Sequence, residues 1–165
     1  MTCGSSSLLT SPEADARGEP GAGRQDSPRG GEALVDTSVT VAIVLADHEA
    51  HHETLREVRG MALGLAGHAW FETYSVLTRV PSGSRRSPAS VSAILIADFP
   101  LTRFLDADAA DALRSEISER AIAGGAIYDA LVGATARSHA LTLISRDRRA
   151  RMTYEALGVD VRFIG

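Results

Sequence analysis

Beyond residue 31 the chain alternates short apolar runs with longer stretches of helical period, and this alternation predicts its elements. "ALVD" (33–36) reads as a strand, followed by helical "SVTVAIVLA" and then "ETLREVRG", which stops at Gly60. "ALGLA" (62–66) is a second strand, and "AWFETYSVLTRV" a helix ended by Pro81. Ser87 and Pro88 open a helix over "ASVSAILIADF", since serine caps a first turn and proline is tolerated in it. "RFL" (103–105) gives a short third strand before a helix from Asp108 to Arg120. Gly124 and Gly125 break the chain ahead of the helix "IYDALVGATARSHA". "LTLIS" (141–145) is a fourth strand, "RRARMTYEAL" a helix closed by Gly158, and "VDVRFI" (159–164) the fifth strand.

Short apolar strands separated by helices predict a mainly parallel sheet covered on both faces. The expected fold is an α/β/α three-layer sandwich around a central five-stranded sheet. Ligands in such folds bind beyond the carboxyl ends of the strands. Asp36 closes the first strand and Asp147 lies just past the fourth. Glu72 comes early in the helix after the second strand, and Asp129 early in the helix before the fourth. All four acids are therefore candidates for one rim.

Residues 1–31 break this pattern. Gly, Ser, Pro and scattered charge dominate there, with Leu8 and Leu9 the only sizeable apolar groups. Such a segment buries too little surface to offset its ordering entropy and is expected to be disordered. Residues 32–165 form the expected folded domain, a length that fits a single domain. Hydrophobic residues at 44% and charged residues at 23% are ordinary for a globular protein. No apolar run approaches the ~20 residues of a membrane span, and no leader pattern precedes the domain, so a cytoplasmic protein is expected. Cys3 is the single cysteine, which excludes an internal disulfide and a cysteine-based zinc site.

All 17 basic residues are arginine, so any mechanism requiring a catalytic lysine is excluded. Net charge is −4, whereas binding nucleic acid by backbone charge alone calls for a basic excess. A nucleic-acid partner would have to be attracted by local arginines and metal ions.

Each acid has a structural alternative. Asp36 can cap the following helix, Glu72 can be solvated, and Asp147 in "SRDRR" can balance Arg146, Arg148 and Arg149. Asp129 stands in an apolar stretch and is harder to explain that way. Several carboxylates in one pocket repel, and a hard divalent cation such as Mg2+ or Mn2+ relieves the repulsion. Such an ion generates hydroxide and stabilises charge on a phosphate in flight.

The order "LVDTS", "FETYSVLTR", "YDALVGATARSHALTLISRD" and a closing "LGVDVRFI" resembles the PIN-domain family, and within it the VapC-type toxins of bacterial toxin–antitoxin operons. The resemblance runs from Ala33 to the C-terminus. It implies metal-liganding or catalytic roles for Asp36, Glu72, Asp129 and Asp147, with Ser38 and Ser145 in support. Ser145 stands where the family often has threonine. The resemblance further implies a Mg2+- or Mn2+-dependent endoribonuclease acting on RNA, a small cognate antitoxin and a homodimer. Members usually start within a few residues of the first acid, so the tail raises a translation start nearer Leu34 or Val35.

Three other readings are weighed. A phosphoaspartate receiver also places acids at strand ends but needs a rim lysine, and this chain has none, which nearly excludes it. A PIN-like module that has lost catalysis would serve as a binding domain. A third keeps the nuclease as an RNA-processing enzyme that is not a toxin. His48, His51 and His52 in "DHEAHHE" are read as a solvated inter-helix turn, and His68 and His139 as structural. Trp70, Phe71, Tyr74 and Leu77 are read as core or dimer contacts and not as base-stacking groups, and the arginines as a solvated face of which those beside Asp147 could steer phosphates.

Overall fold

The computed structural model describes residues 31–80 and 86–165. The expected disordered tail, apart from Gly31, and the helix stop at Pro81 lie outside the described residues. Four parallel strands, β1 (Glu32–Val35), β2 (Ala62–Leu65), β3 (Thr142–Ser145) and β4 (Val161–Phe163), pair in the order β2-β1-β3-β4. Around them lie α1 (Thr37–Val44), α2 (His51–Glu57), α3 (His68–Arg79), α4 (Pro88–Asp98), α5 (Ala107–Glu119), α6 (Ala126–Ser138) and α7 (Arg151–Ala156). A 3-10 turn, Arg148–Ala150, leads into α7. The parallel α/β architecture is as the sequence predicts.

The central strands are apolar because both their faces are covered. Ala33, Leu34, Val35, Leu143 and Ile144 are fully buried. Helix α6 packs closely through its small residues: Ala130, Ala134 and Ala136 are buried, and a Cβ on Gly133 would stand 2.9 Å from both Tyr154 and Val159. Among the described residues, no helix is long and apolar enough to cross a membrane.

The expected third strand at 103–105 does not form, so the sheet has four strands and not five. The chain instead turns tightly at Phe99–Thr102 against the end of β2. There the Thr102 hydroxyl donates to the Phe99 carbonyl and accepts from Leu65 N at 3.1 Å, taking the place of a ladder carbonyl. Only isolated bridges remain, Gly64 with Pro100 and Ala66 with Arg103. A second difference concerns "DHEAHHE". His51, His52 and Glu53 belong to α2, and His51 Nδ1 lies 2.9 Å from the Ala42 carbonyl, tying α2 to α1.

Strand order fixes where a ligand can bind. The chain moves outward from β1 to β2, then returns to β3 on the opposite side of β1. The crevice at the carboxyl ends of β1 and β3 is thus the topological switch point of the sheet.

Candidate active site

Asp36 follows β1 directly and is the N-cap of α1; Asp147 lies two residues beyond β3 and caps the 3-10 turn. Glu72 comes from α3 and Asp129 from the first turn of α6. These four acids, from four separate segments, line one cavity of about 530 Å3, together with Thr37, Ser38, Tyr128, Arg149 and Tyr154. The conjunction expected from sequence is present.

Asp36 serves both as cap and as wall. Only 6% exposed, it accepts from Val39 N (3.0 Å) and the Ser38 hydroxyl (2.6 Å) on Oδ1, and from the Ser145 hydroxyl (2.6 Å) on Oδ2. The two serines are themselves fixed, since Ser38 Oγ accepts from Arg146 N at 2.9 Å and Ser145 Oγ from Asp147 N at 3.0 Å. Burial raises the Asp36 carboxyl above its ordinary range. The Ser145, Ser38 and Val39 bonds pull it back, and the nearby Asp147 charge adds to the rise.

Asp147 has the partner its sequence context suggested. Arg149 holds it through Nε at 2.9 Å and a terminal nitrogen at 2.8 Å, which keeps its carboxyl below the usual range. Glu72 is exposed and accepts from the Thr37 hydroxyl at 2.6 Å. Asp129 is different. Half-buried, it accepts no hydrogen bond from another described residue, and it faces the charges of Asp147, Glu72 and Asp36. Burial first, then those three acids, push it up to about 6, against a smaller downward pull from the charge of Arg149.

Among the described residues, no three His, Cys, Asp or Glu side chains are already gathered closely enough to hold one ion. Two of the acids are engaged elsewhere, Asp147 by Arg149 and Glu72 by Thr37. The donor set nevertheless suits a hard divalent cation, because it is made of carboxylate oxygens and includes Asp129, which accepts no hydrogen bond from another described residue.

Sequence reasoning did not single out Thr37, Tyr128 or Tyr154, which also line the cavity. Thr37 and Tyr128 adjoin predicted acids, and that adjacency was the available signal. Tyr154 is reached only through the packing of α7 on α6. Burial and the four surrounding acids raise its phenol, so it remains a neutral hydroxyl.

Comparison with known proteins agrees with this geometry. The PIN-domain model matches residues 33–156. Ribonuclease VapC40 of Mycobacterium tuberculosis is 43% identical over 131 residues, covering 78% of this chain and 96% of the relative. Ribonuclease VapC27 of the same species is 39% identical over 127 residues, covering 77% and 93%. The crystal structure of VapC20, a sarcin–ricin-loop-cleaving toxin of that species, matches with a TM-score of 0.58 at 19% identity, covering 77% of this chain and 95% of that one, a likeness of fold. With sheet order, acid placement and these relatives in agreement, the chain belongs to the PIN-domain family, among its VapC-type members.

Proposed function

We propose that this protein is a divalent-metal-dependent endoribonuclease, the toxin of a toxin–antitoxin pair. The observation that carries the reading is the single cavity lined by Asp36, Glu72, Asp129 and Asp147 at the switch point of a parallel sheet. The names of the relatives VapC27 and VapC40 supply the substrate class, RNA.

Asp36 and Asp129 would hold the principal Mg2+ or Mn2+, with Asp147 and Glu72 supporting it. When bound, such an ion supplies Lewis acidity, acidifying a water and offsetting charge on the phosphate. The chain's own groups do the rest. Three hydrogen bonds hold Asp36 in one orientation, so its carboxylate is preorganised. Asp129 is ionised above a pH of about 6, and because Arg149 only partly offsets the three surrounding acids it would favour a bound cation. Glu72, anchored by Thr37, can accept a hydrogen bond from the attacking water and orient it. Arg149, exposed at the rim, presents the remaining donors of its guanidinium to a phosphate oxygen.

The antitoxin would carry a positively charged segment, such as an arginine side chain, that neutralises the acid cavity. A homodimer follows from the family alone. Induced expression followed by mapping of new RNA ends tests the function. New ends should appear with the parent chain and vanish with Asp129→Asn; purified protein should cut RNA with Mg2+ or Mn2+ and not in chelator. Cleavage that persists both in Asp129→Asn and in excess chelator would overturn the reading.

A further inference from the structure

Beside the acid cavity stands a set of rings that the hydrolytic chemistry does not use, joined to it by the stack of Tyr128 on His68. Tyr128 precedes Asp129 in the first turn of α6, lines the acid cavity and is 56% exposed. Its ring stacks on His68, the first residue of α3, with centroids 5.0 Å apart and planes 16° from parallel. Past His68 lies a shallower hollow of about 220 Å3, bordered by Phe71, Phe104 and Leu131. Phe71 is 56% and Phe104 49% exposed, with their rings 5.9 Å apart.

Among the described residues, the large hydrophobic side chains left exposed include three aromatic rings, and all three lie on this path. Tyr128 lines the acid cavity and Phe71 and Phe104 the neighbouring hollow; leaving rings in water is unfavourable, so their exposure side by side calls for an occupant. Tyr128 is shared with the acid cavity, so a group seated on it adjoins whatever Asp129 helps to hold. Unpaired nucleobases stack on aromatic side chains and tolerate many sequences in doing so, because every base has a π-face. The His68 stack fixes the Tyr128 ring before any ligand arrives.

We infer that Tyr128, braced by His68, is a stacking platform for an unpaired base of the RNA next to the scissile phosphate. Tyr128 is thus a positioning and specificity-determining residue, and the hollow towards Phe71 and Phe104 extends the path for a further nucleotide. The inference rests on the ribonuclease reading and names the feature of the substrate that this site recognises, a single strand with a free base.

The test uses the full-length parent, Tyr128→Ala and Tyr128→Trp with single-stranded RNA oligonucleotides. One series carries a single abasic ribose at successive positions; another carries 2-aminopurine at the same positions. The parent should lose about five- to a hundredfold in kcat/KM when the base beside the cut is missing. Tyr128→Ala should show that loss on intact RNA and no further loss on the abasic strand, while Tyr128→Trp restores the parent's behaviour. Binding in chelator should quench 2-aminopurine at that position in the parent and not in Tyr128→Ala, which reads the stack without any cleavage. Equal sensitivity of parent and Tyr128→Ala to the abasic position, or an unquenched probe, overturns the platform. A parent that quenches the probe yet cuts no RNA keeps the platform and removes the ribonuclease reading. If Tyr128→Ala alters only self-association or the binding of a protein partner, the rings form a protein interface and the inference falls.

Discussion

The β1–β3 side of the acid cavity and its α6 side are built on opposite principles. On the first side every carboxylate oxygen already has a protein donor. Asp36 is held by Ser38, Val39 and Ser145, and Asp147 by Arg149. On the second, Asp129 accepts no hydrogen bond from another described residue and faces three like charges, which the charge of Arg149 offsets only in part. The difference teaches which role each wall has. The strand-end wall fixes geometry, so its donors come from the chain itself. The α6 wall leaves a carboxylate that only the charge of Arg149 partly offsets, with room for a complement from outside. Function held against stability in this way is expected where a cation or ligand completes a site.

The largest effect should come from substituting the two acids separately. Asp129→Asn and Asp36→Asn should each lower RNA cleavage by about a hundredfold or more, since each removes an ionic oxygen ligand. Their stabilities should part. In chelator, Asp129→Asn should melt higher than the parent, because one charge leaves a crowded cavity and no bond is broken. Asp36→Asn also loses a buried charge. However, its amide nitrogen would face a Ser145 hydroxyl that already accepts from Asp147 N. The two effects oppose, and its melting temperature should stay level or fall by the equivalent of about 1 kcal/mol. Equal stabilisation by both substitutions would erase the contrast between the walls.

Next in size is the response to metal. Adding Mg2+ or Mn2+ to stripped protein should raise its stability by about 2.7 kcal/mol at a hundredfold excess over Kd. The gain should nearly vanish in Asp129→Asn, and calcium should restore cleavage poorly because its looser geometry positions water badly. Thermal melts with each ion check both statements. An undiminished gain in Asp129→Asn would place the cation elsewhere.

A smaller effect probes the rigid wall alone. Ser145 is fully buried and holds both Asp36 and Asp147 N. Ser145→Ala should cost about 1–3 kcal/mol in a denaturant titration, since it strips a bond from a buried carboxylate and another from a backbone N–H. Cleavage should fall less than in Asp129→Asn, because the ligand itself remains. Loss of cleavage as deep as in Asp129→Asn, with stability intact, would give Ser145 a direct part in the chemistry.

The α6 wall was the more legible of the two in sequence. An acid in "IYDALVGATA" has no local partner to explain it, and among the described residues the structure gives it no hydrogen-bond donor, only the nearby charge of Arg149. For Asp36 and Asp147 the local explanations, a helix cap and an arginine pair, also hold, yet both residues line the cavity. Local roles and pocket roles are compatible, so "ALVDTS" alone could not separate them. The apolar strands β1 and β3 were legible because burial on both faces leaves continuous apolar runs. "RFL" misled because three residues with strand-like composition carry no record of the Thr102 hydroxyl that satisfies β2 in their place. Tyr154 was out of reach, since its place in the cavity depends on α7 packing against α6.

The smallest effect, and the most specific to the bare wall, is the pH dependence of metal-stripped protein. The folded-state carboxyl of Asp129 sits at about 6, above its ordinary value of 3.8. Between these limits the folded chain therefore binds more protons than the unfolded one. Stability then falls as pH rises, so the contribution of Asp129 is fully present below about 3.8 and lost as pH passes about 6. Asp36, also raised, acts in the same direction, whereas Asp147, lowered by Arg149, loses stability only below its ordinary range. The window between about pH 4 and 6 thus belongs to Asp129, with Asp36 acting in the same direction. Asp129 is half open to solvent, so screening should hold its share to about 1 kcal/mol. Stripped parent should melt higher at pH 5 than at pH 7, and the difference should shrink in Asp129→Asn. Saturating Mg2+ should reverse the slope, because the cation binds the ionised form and competes with the proton. A parent and an Asp129→Asn variant with the same slope would mean that Asp129 is already compensated within the protein, and the two walls would be alike.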